Sequence, residues 1–191
     1  MSQATEIKEV ADLPALVMDS VELFKMTARQ AKLNIEIDTV KLTGNREWLG
    51  YPGYLTQVLV NLLQNIERYA YPNGQDGRVE ISVVDRNGPR DEQFAITVRD
   101  FGQGISSENL AKIFDPFFTT GRGQGGTGLG LAIIHTIVTS VLKGTVAVKS
   151  ELGKGTAFSV AFPKIIPEQV QGGEGVDPVT GKSIPGNSLA F

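Results

Sequence analysis

From Leu13 to Leu33, apolar residues fall at Leu16, Val17, Val21, Phe24, Ala28 and Ala31, the spacing of one buried helix face. The period then changes. Asn34 to Val40 alternates through Ile35 and Ile37 and predicts a short strand, with Arg46 to Leu49 as its expected antiparallel partner. Tyr54 to Tyr71 returns to helical spacing: at about 100° per residue, Leu55, Leu59, Leu62, Leu63 and Ile66 share one core-facing arc. Two alternating strands follow, Arg78 to Asp85 and Gln93 to Arg99, separated by the turn-forming Arg86-Asn87-Gly88-Pro89. Ser106 is placed to cap a short helix reaching Phe114. A third long helix is expected from Thr127 to Leu142, then strands Thr145 to Ser150 and Thr156 to Phe162 around the turn Leu152-Gly153-Lys154-Gly155. Helices and hairpins in blocks, without an internal repeat, predict an α+β fold. Its two-layer sandwich has a mixed, mostly antiparallel sheet covered on one face by three helices.

Lys164 to Phe191 shows neither period, carries Pro167, Pro178 and Pro185, and holds five glycines from Gly172 to Gly186. It reads as a flexible tail or linker, leaving residues 1–163 as one domain. The whole chain has 191 residues, 41% hydrophobic and 20% charged, which suits one folded domain with a tail. Zero cysteine and one histidine, His135, exclude disulfide frameworks and thiolate or imidazole-rich metal sites. A net charge of −3 argues against nucleic acid, whose phosphates select basic surfaces. The longest apolar runs, such as Leu129 to Ile134, are far shorter than the ~20 residues that cross a bilayer, and no signal-peptide pattern opens the sequence. A soluble piece without direct membrane contact is therefore expected.

Of the 22 glycines, eight lie between Gly102 and Gly130, flanked by strongly patterned segments. Gly125-Gly126-Thr127-Gly128-Leu129-Gly130 opens the third helix, where backbone N–H groups and the positive dipole end meet an anion. Neither the dinucleotide nor the P-loop spacing fits, so a phosphate cradle of another kind is expected. Asp100-Phe101-Gly102-Gln103-Gly104 follows directly on a strand. Its carboxylate can accept from an exocyclic amine while the glycines let backbone approach a flat ligand, although a plain structural turn reads the same way. On the second helix, Asn61, Asn65 and Arg68 share a face beside the core arc. Amide oxygens suit a hard cation and the guanidinium suits a phosphate; alone, such a face is more commonly just solvated. Between the glycine runs, Phe114-Asp115-Pro116-Phe117-Phe118-Thr119-Thr120 joins an apolar anchor to the loose Gly121-Arg122-Gly123-Gln124. That describes either a closing loop or a pinned surface loop.

In this order, Asn61-Leu-Leu-Gln-Asn65, Asp100-Phe-Gly-Gln-Gly104, Phe114-Asp-Pro-Phe-Phe-Thr-Thr120 and Gly126-Thr-Gly-Leu-Gly-Leu131 resemble the N, G1, F and G2 boxes of the catalytic ATP-binding domain of bacterial sensor histidine kinases. The resemblance spans roughly Leu13 to Pro163 and implies the Bergerat ATP-binding fold. It implies that ATP and Mg²⁺ are bound, Asn65 coordinating the metal with Asn61 in support. Arg68 would reach a phosphate from the place where the family usually has Lys, and Tyr69 would pack by the nucleotide. Asp100 would take the adenine amine, with Gly102, Gly104 and Ile105 lining the base pocket. Phe117, Thr119, Thr120 and Arg122 would contribute from the lid. Thr127, Leu129 and Leu131 would join the phosphate-holding Gly126, Gly128 and Gly130. Two positions depart from the pattern: Ile66 replaces a small Ala, and Gly121 stands where Lys is common.

Hydrolytic relatives of this fold place a Glu where this chain has Asn61, and an amide cannot take a proton at neutral pH. Glu67 lies about 200° from Asn65 on the wheel. The resemblance therefore implies phosphoryl transfer, with Asn61, Asn65 and Arg68 as the catalytic set. The acceptor would be a histidine of a dimerisation and phosphoacceptor domain absent from this chain, because His135 lacks the neighbourhood of a phosphoacceptor helix. The expected partners are that domain and a response-regulator receiver. The isolated domain is expected to be monomeric and cytoplasmic; the parent would be a homodimer, with its membrane anchoring left open. A hydrolytic ATPase, a serine-kinase anti-sigma factor and a non-catalytic nucleotide-binding or regulator-docking module stand as alternatives.

Overall fold

The computed structural model describes residues 7–72, 75–87, 92–121 and 126–167. Strand β1 (Glu9–Asp12) leads into helix α1 (Leu13–Gln30). Asp12 caps the helix by accepting from the Ala15 N–H at 2.9 Å, a bond that holds its carboxyl below the ordinary aspartate range. The helix stops short of the expected Leu33 because Lys32 takes a left-handed conformation (φ 54°) and sends the chain into β2 (Leu33–Asp38). Strand β3 (Glu47–Gly50) precedes α2 (Pro52–Asn65), whose last turn widens into a π-helical turn, Ile66–Ala70. The hairpin β4 (Gly77–Asn87) and β5 (Glu92–Asp100) comes next. Ser106 caps the single turn α3 (Ser107–Leu110) as expected, though the helix ends well before Phe114. Helix α4 (Gly130–Thr136) starts three residues later than predicted, after Gly128 at φ 70°, and also runs into a π-helical turn, Ile137–Val141. Strands β6 (Thr145–Glu151) and β7 (Gly155–Pro163) form the second hairpin.

The main sheet has the order β2-β4-β5-β7-β6, parallel between β2 and β4 and antiparallel elsewhere. One face carries Val79, Ile81, Val83, Phe94, Ile96, Val98, Phe158, Val160 and Phe162. All are buried with Leu13, Val17, Phe24 and Ala28 of α1, the predicted arc Leu55, Leu59, Leu62, Leu63 and Ile66, and Ile134 of α4. Helices α1, α2 and α4 thus supply the second layer, as the pattern predicts. Among the described residues no helix is long and apolar enough to cross a membrane.

One expected strand pairing needs correction. Residues 46–49 do not pair with β2; β3 pairs antiparallel with β1, Val10 opposite Leu49, and β2 pairs parallel with β4 instead. Strand β1 carries no sequence signal, because its four residues, Glu-Val-Ala-Asp, show no period. Described contacts also continue past Pro163. The Lys164 carbonyl accepts from the Leu49 N–H at 2.9 Å, the Ile166 N–H donates back to Leu49 at 2.8 Å, and Ile166 is buried. The rest of the expected tail, 168–191, lies outside the described residues.

Candidate nucleotide-binding site

Asn61 and Asn65 lie one turn apart on α2, both half-buried. The Asn65 side-chain nitrogen is buried and bonds to no described group, a costly state that a ligand relieves. Its amide faces Gly130 at the start of α4: a methyl built on Gly130 would stand 3.6 Å from Asn65 Oδ1. The metal candidate and the dipole end of the predicted anion cradle are therefore neighbours. Among the described residues no group of three or more His, Asp or Glu side chains is arranged to hold a metal.

Arg68 lies half-buried in the π-helical turn that follows α2 directly after Asn65, and no described contact joins it to Asn61 or Asn65. Ile66 itself points into the core, so its bulk is absorbed there and leaves the site untouched. Tyr69 comes out of the same turn with its hydroxyl 3.1 Å from Thr119 Oγ1. Gly121 is buried against the Tyr69 ring, which fills the space a Lys would need and accounts for that departure.

At the far side, Asp100 ends β5 and is 4% exposed. One carboxylate oxygen accepts from the N–H of Gly102 at 2.9 Å and of Thr156 at 3.3 Å. Burial pushes its pKa up, and these N–H groups partly offset the shift. The loop after it is strapped to the π-helical turn: the Gln103 N–H donates to the Ala70 carbonyl at 2.9 Å and Gln103 Nε2 donates to the Tyr69 carbonyl at 2.6 Å. Gly102 passes so close to the Ala70 carbonyl that any Cβ would collide with it. Gly104, at φ 71°, and Ile105, whose N–H donates to Ser150 Oγ at 2.8 Å, fix the loop on the β6–β7 hairpin.

Of the F-box residues, Phe114 packs on the ring of His135 with centroids 5.5 Å apart. Phe117 takes a left-handed conformation (φ 66°), donates its N–H to the Gly128 carbonyl at 2.9 Å and stands 66% exposed. Thr119 is half-buried and Thr120 exposed. Arg122 lies outside the described residues. Thr127 Oγ1 accepts from the Leu129 N–H at 3.4 Å, and Leu131 packs against the core. The structure brings Asn65 to Gly130 and, separately, Tyr69 to Thr119 and Gly126, while the loop after Asp100 reaches Tyr69 through Gln103. Thr156 and Gln103 carried no assigned role in the sequence; their contacts are long-range and leave no periodic trace.

The description "Histidine kinase-, DNA gyrase B-, and HSP90-like ATPase" matches residues 50–166. The Sensor protein SrrB of Staphylococcus aureus is 35% identical over 162 residues, covering 82% of this chain and 26% of its own length. The chain thus spans about a quarter of that curated relative. Among solved structures, the nucleotide-free catalytic domain of the histidine kinase ThkA superposes with a TM-score of 0.68 at 27% identity, over 83% of this chain and 97% of that one. ThkA in complex with the response regulator protein TrrA gives 0.66 at 24% identity, over 82% and 42%, a likeness of fold. The chain belongs to the histidine kinase-, DNA gyrase B- and HSP90-like ATPase family, as a Bergerat-fold ATP-binding domain of the histidine-kinase type.

Proposed function

We propose that this domain binds ATP with Mg²⁺ and passes the γ-phosphoryl group to a histidine on a phosphoacceptor domain outside the chain. The observation that carries the reading is the Asn65 side-chain nitrogen, buried with no partner among the described residues, on an amide that faces Gly130. An amide without a described partner can turn its oxygen to a cation. Mg²⁺ keeps most of its ligands as water and phosphate oxygens, so one protein amide with support from Asn61 suits it. When bound, the metal would neutralise charge developing on the phosphoryl oxygens. Asp100 would accept from the adenine amine, Gly126 to Gly130 would offer N–H groups to the phosphates, and Arg68, which pairs with no described residue, would add positive charge. In the transfer, the bond from the bridging oxygen to the γ-phosphorus breaks, a phosphorus–nitrogen bond forms on the acceptor imidazole, and ADP leaves.

Asn61 offers no base to activate water, which favours transfer over hydrolysis. His135 is exposed on α4 and packed on Phe114, which suits a structural residue better than an acceptor. On this reading the partners are the phosphoacceptor domain of the same kinase and a response-regulator receiver, and the domain works in the cytoplasm. Calorimetric titration with a non-hydrolysable ATP analogue, with and without Mg²⁺, tests the binding step. Labelled ATP plus a separately expressed phosphoacceptor domain tests the transfer. Acid-labile label is expected on the acceptor and none on this chain alone; label on His135, or rapid hydrolysis abolished by Asn61→Ala, overturns the reading.

A further inference from the structure

We infer that Tyr69 is a positioning residue that holds the Gly126–Gly130 run in register with α2 before any nucleotide arrives; this deepens the ATP-binding reading and rests on it. The backbone of Tyr69 is gripped from the Asp100 side, where Gln103 Nε2 donates to its carbonyl at 2.6 Å and the Gln103 N–H donates to Ala70 at 2.9 Å. The side chain reaches the other way. Its hydroxyl lies 3.1 Å from Thr119 Oγ1, which also accepts the Gly121 N–H at 3.1 Å. A hydroxyl can accept the Gly121 N–H and still either accept from or donate to the Tyr69 hydroxyl.

Two glycines sit flush on this tyrosine. A methyl on Gly121 would strike the Tyr69 ring, and a methyl on Gly126 would strike its hydroxyl. The Gly126 N–H donates to the Gly121 carbonyl at 3.2 Å, tying together the segments on either side. Below them the Phe117 N–H donates to the Gly128 carbonyl at 2.9 Å. The chain segments that meet the phosphates are thus anchored to the turn after Asn65 by protein contacts alone, and Tyr69 is where the base side and the phosphate side join. Its hydroxyl is committed to Thr119, a role different from packing on the nucleotide.

Residue-resolved hydrogen exchange on the full nucleotide-free chain tests this directly. In Tyr69→Phe the Gly121 and Gly126 amides should exchange about tenfold faster, the effect of losing one hydrogen bond, while Ile96 and Val98 in β5 keep their rates. Thr119→Val should reproduce the effect and Thr119→Ser should restore slow exchange. Unchanged rates at Gly121 and Gly126, or equal acceleration in β5, overturn the inference. Binding supplies a second readout. Tyr69→Phe should weaken a non-hydrolysable ATP analogue by several-fold more than adenosine; an equal loss for both makes Tyr69 a base contact and overturns it. Failure of the unmodified chain to bind either ligand would instead overturn the ATP-binding reading, and the exchange result would still decide the role of Tyr69.

Discussion

A Cβ on Gly130 would rest in ordinary contact with the amide of Asn65, 3.6 Å from its oxygen and 3.8 Å from its nitrogen. No other glycine of the G2 run has this relationship: Gly126 abuts Tyr69, and Gly128 sits at φ 70° against the backbone of Phe117. Gly130→Ala is therefore a substitution that the fold accepts and the site does not. Alanine is the better helix former by up to ~1 kcal/mol, so the thermal midpoint should hold or rise. The added methyl covers the Asn65 amide, so affinity for Mg²⁺ and an ATP analogue should drop at least about tenfold, a ~1.4 kcal/mol loss. Calorimetry alongside thermal unfolding checks both halves, and a variant that binds normally removes Asn65 from the metal site.

Asp100 is the second point where binding and stability part company. Burial raises its pKa, so between the unfolded value near 3.8 and the folded value the native state holds a proton that the unfolded state has lost. The stability this group gives is complete below pH 3.8 and disappears as pH rises through the folded value; at neutral pH its charge is a cost. Asp100→Asn keeps an oxygen to accept from Gly102 and Thr156 and sheds the charge. Stability at pH 7 should be equal or higher, while ATP affinity falls about ten- to a hundredfold, as expected for a hydrogen bond to a charged group. In the unmodified protein the affinity should decline as pH falls through the raised value. Affinity that ignores both changes would mean the adenine amine binds elsewhere.

Tyr71 shows a different kind of contribution. Its hydroxyl donates to the Arg78 carbonyl at 2.5 Å and accepts from the N–H groups of Arg78 at 3.1 Å and Phe101 at 2.9 Å. One oxygen thereby joins the end of the π-helical turn to the start of β4 and the residue after Asp100. Tyr71→Phe leaves these backbone groups unmet and should cost about 1–3 kcal/mol in chemical denaturation. A loss below ~0.5 kcal/mol would mean that water replaces the hydroxyl.

The parts of the fold that were legible in the sequence share one property: their signal is local and repeats. Leu55, Leu59, Leu62, Leu63 and Ile66 announce a buried face and are buried; the alternation of Val79, Ile81 and Val83 and of Phe94, Ile96 and Val98 announces two strands, and these pair antiparallel with Ile81 opposite Val98 and Val83 opposite Ile96. Pairing between distant short strands was not legible. Nothing in Glu9–Asp12 states that Val10 will meet Leu49, because that choice is made by chain crossover and packing. The candidate site was legible as motifs but not as geometry. The π-helical turn that carries Arg68 and Tyr69 has no periodic mark, and Gln103, Tyr71 and Thr156 act through bonds to backbone that any polar residue of suitable reach can make.

The domain edge yields the last prediction. Lys164 Nζ lies 2.8 Å from Asp85 Oδ1, with side chains only 13% and 9% exposed, and 5.0 Å above the Phe94 ring. Burial opposes the charge on Asp85, but the adjacent Lys164 ammonium and the N–H groups of Gly44 and Thr43 outweigh it and hold its carboxyl below 3.8; the same ion pair raises Lys164 above 10.5. The Asp85 contribution is present above pH 3.8 and lost as pH falls through the lowered value. The Lys164 contribution is present below pH 10.5 and lost as pH rises through the raised value. A chain ending at Pro163 removes the lysine and the Ile166 contact and leaves Asp85 buried without its cation. It should be less stable than a chain ending at Pro167 by at least about 1–3 kcal/mol, the usual cost of an unmet buried polar group. Asp85→Asn in the shorter chain should recover part of that loss and flatten its acid limb. Equal unfolding midpoints for the two chains across pH 3–8 would show that the fold ends at Pro163 after all.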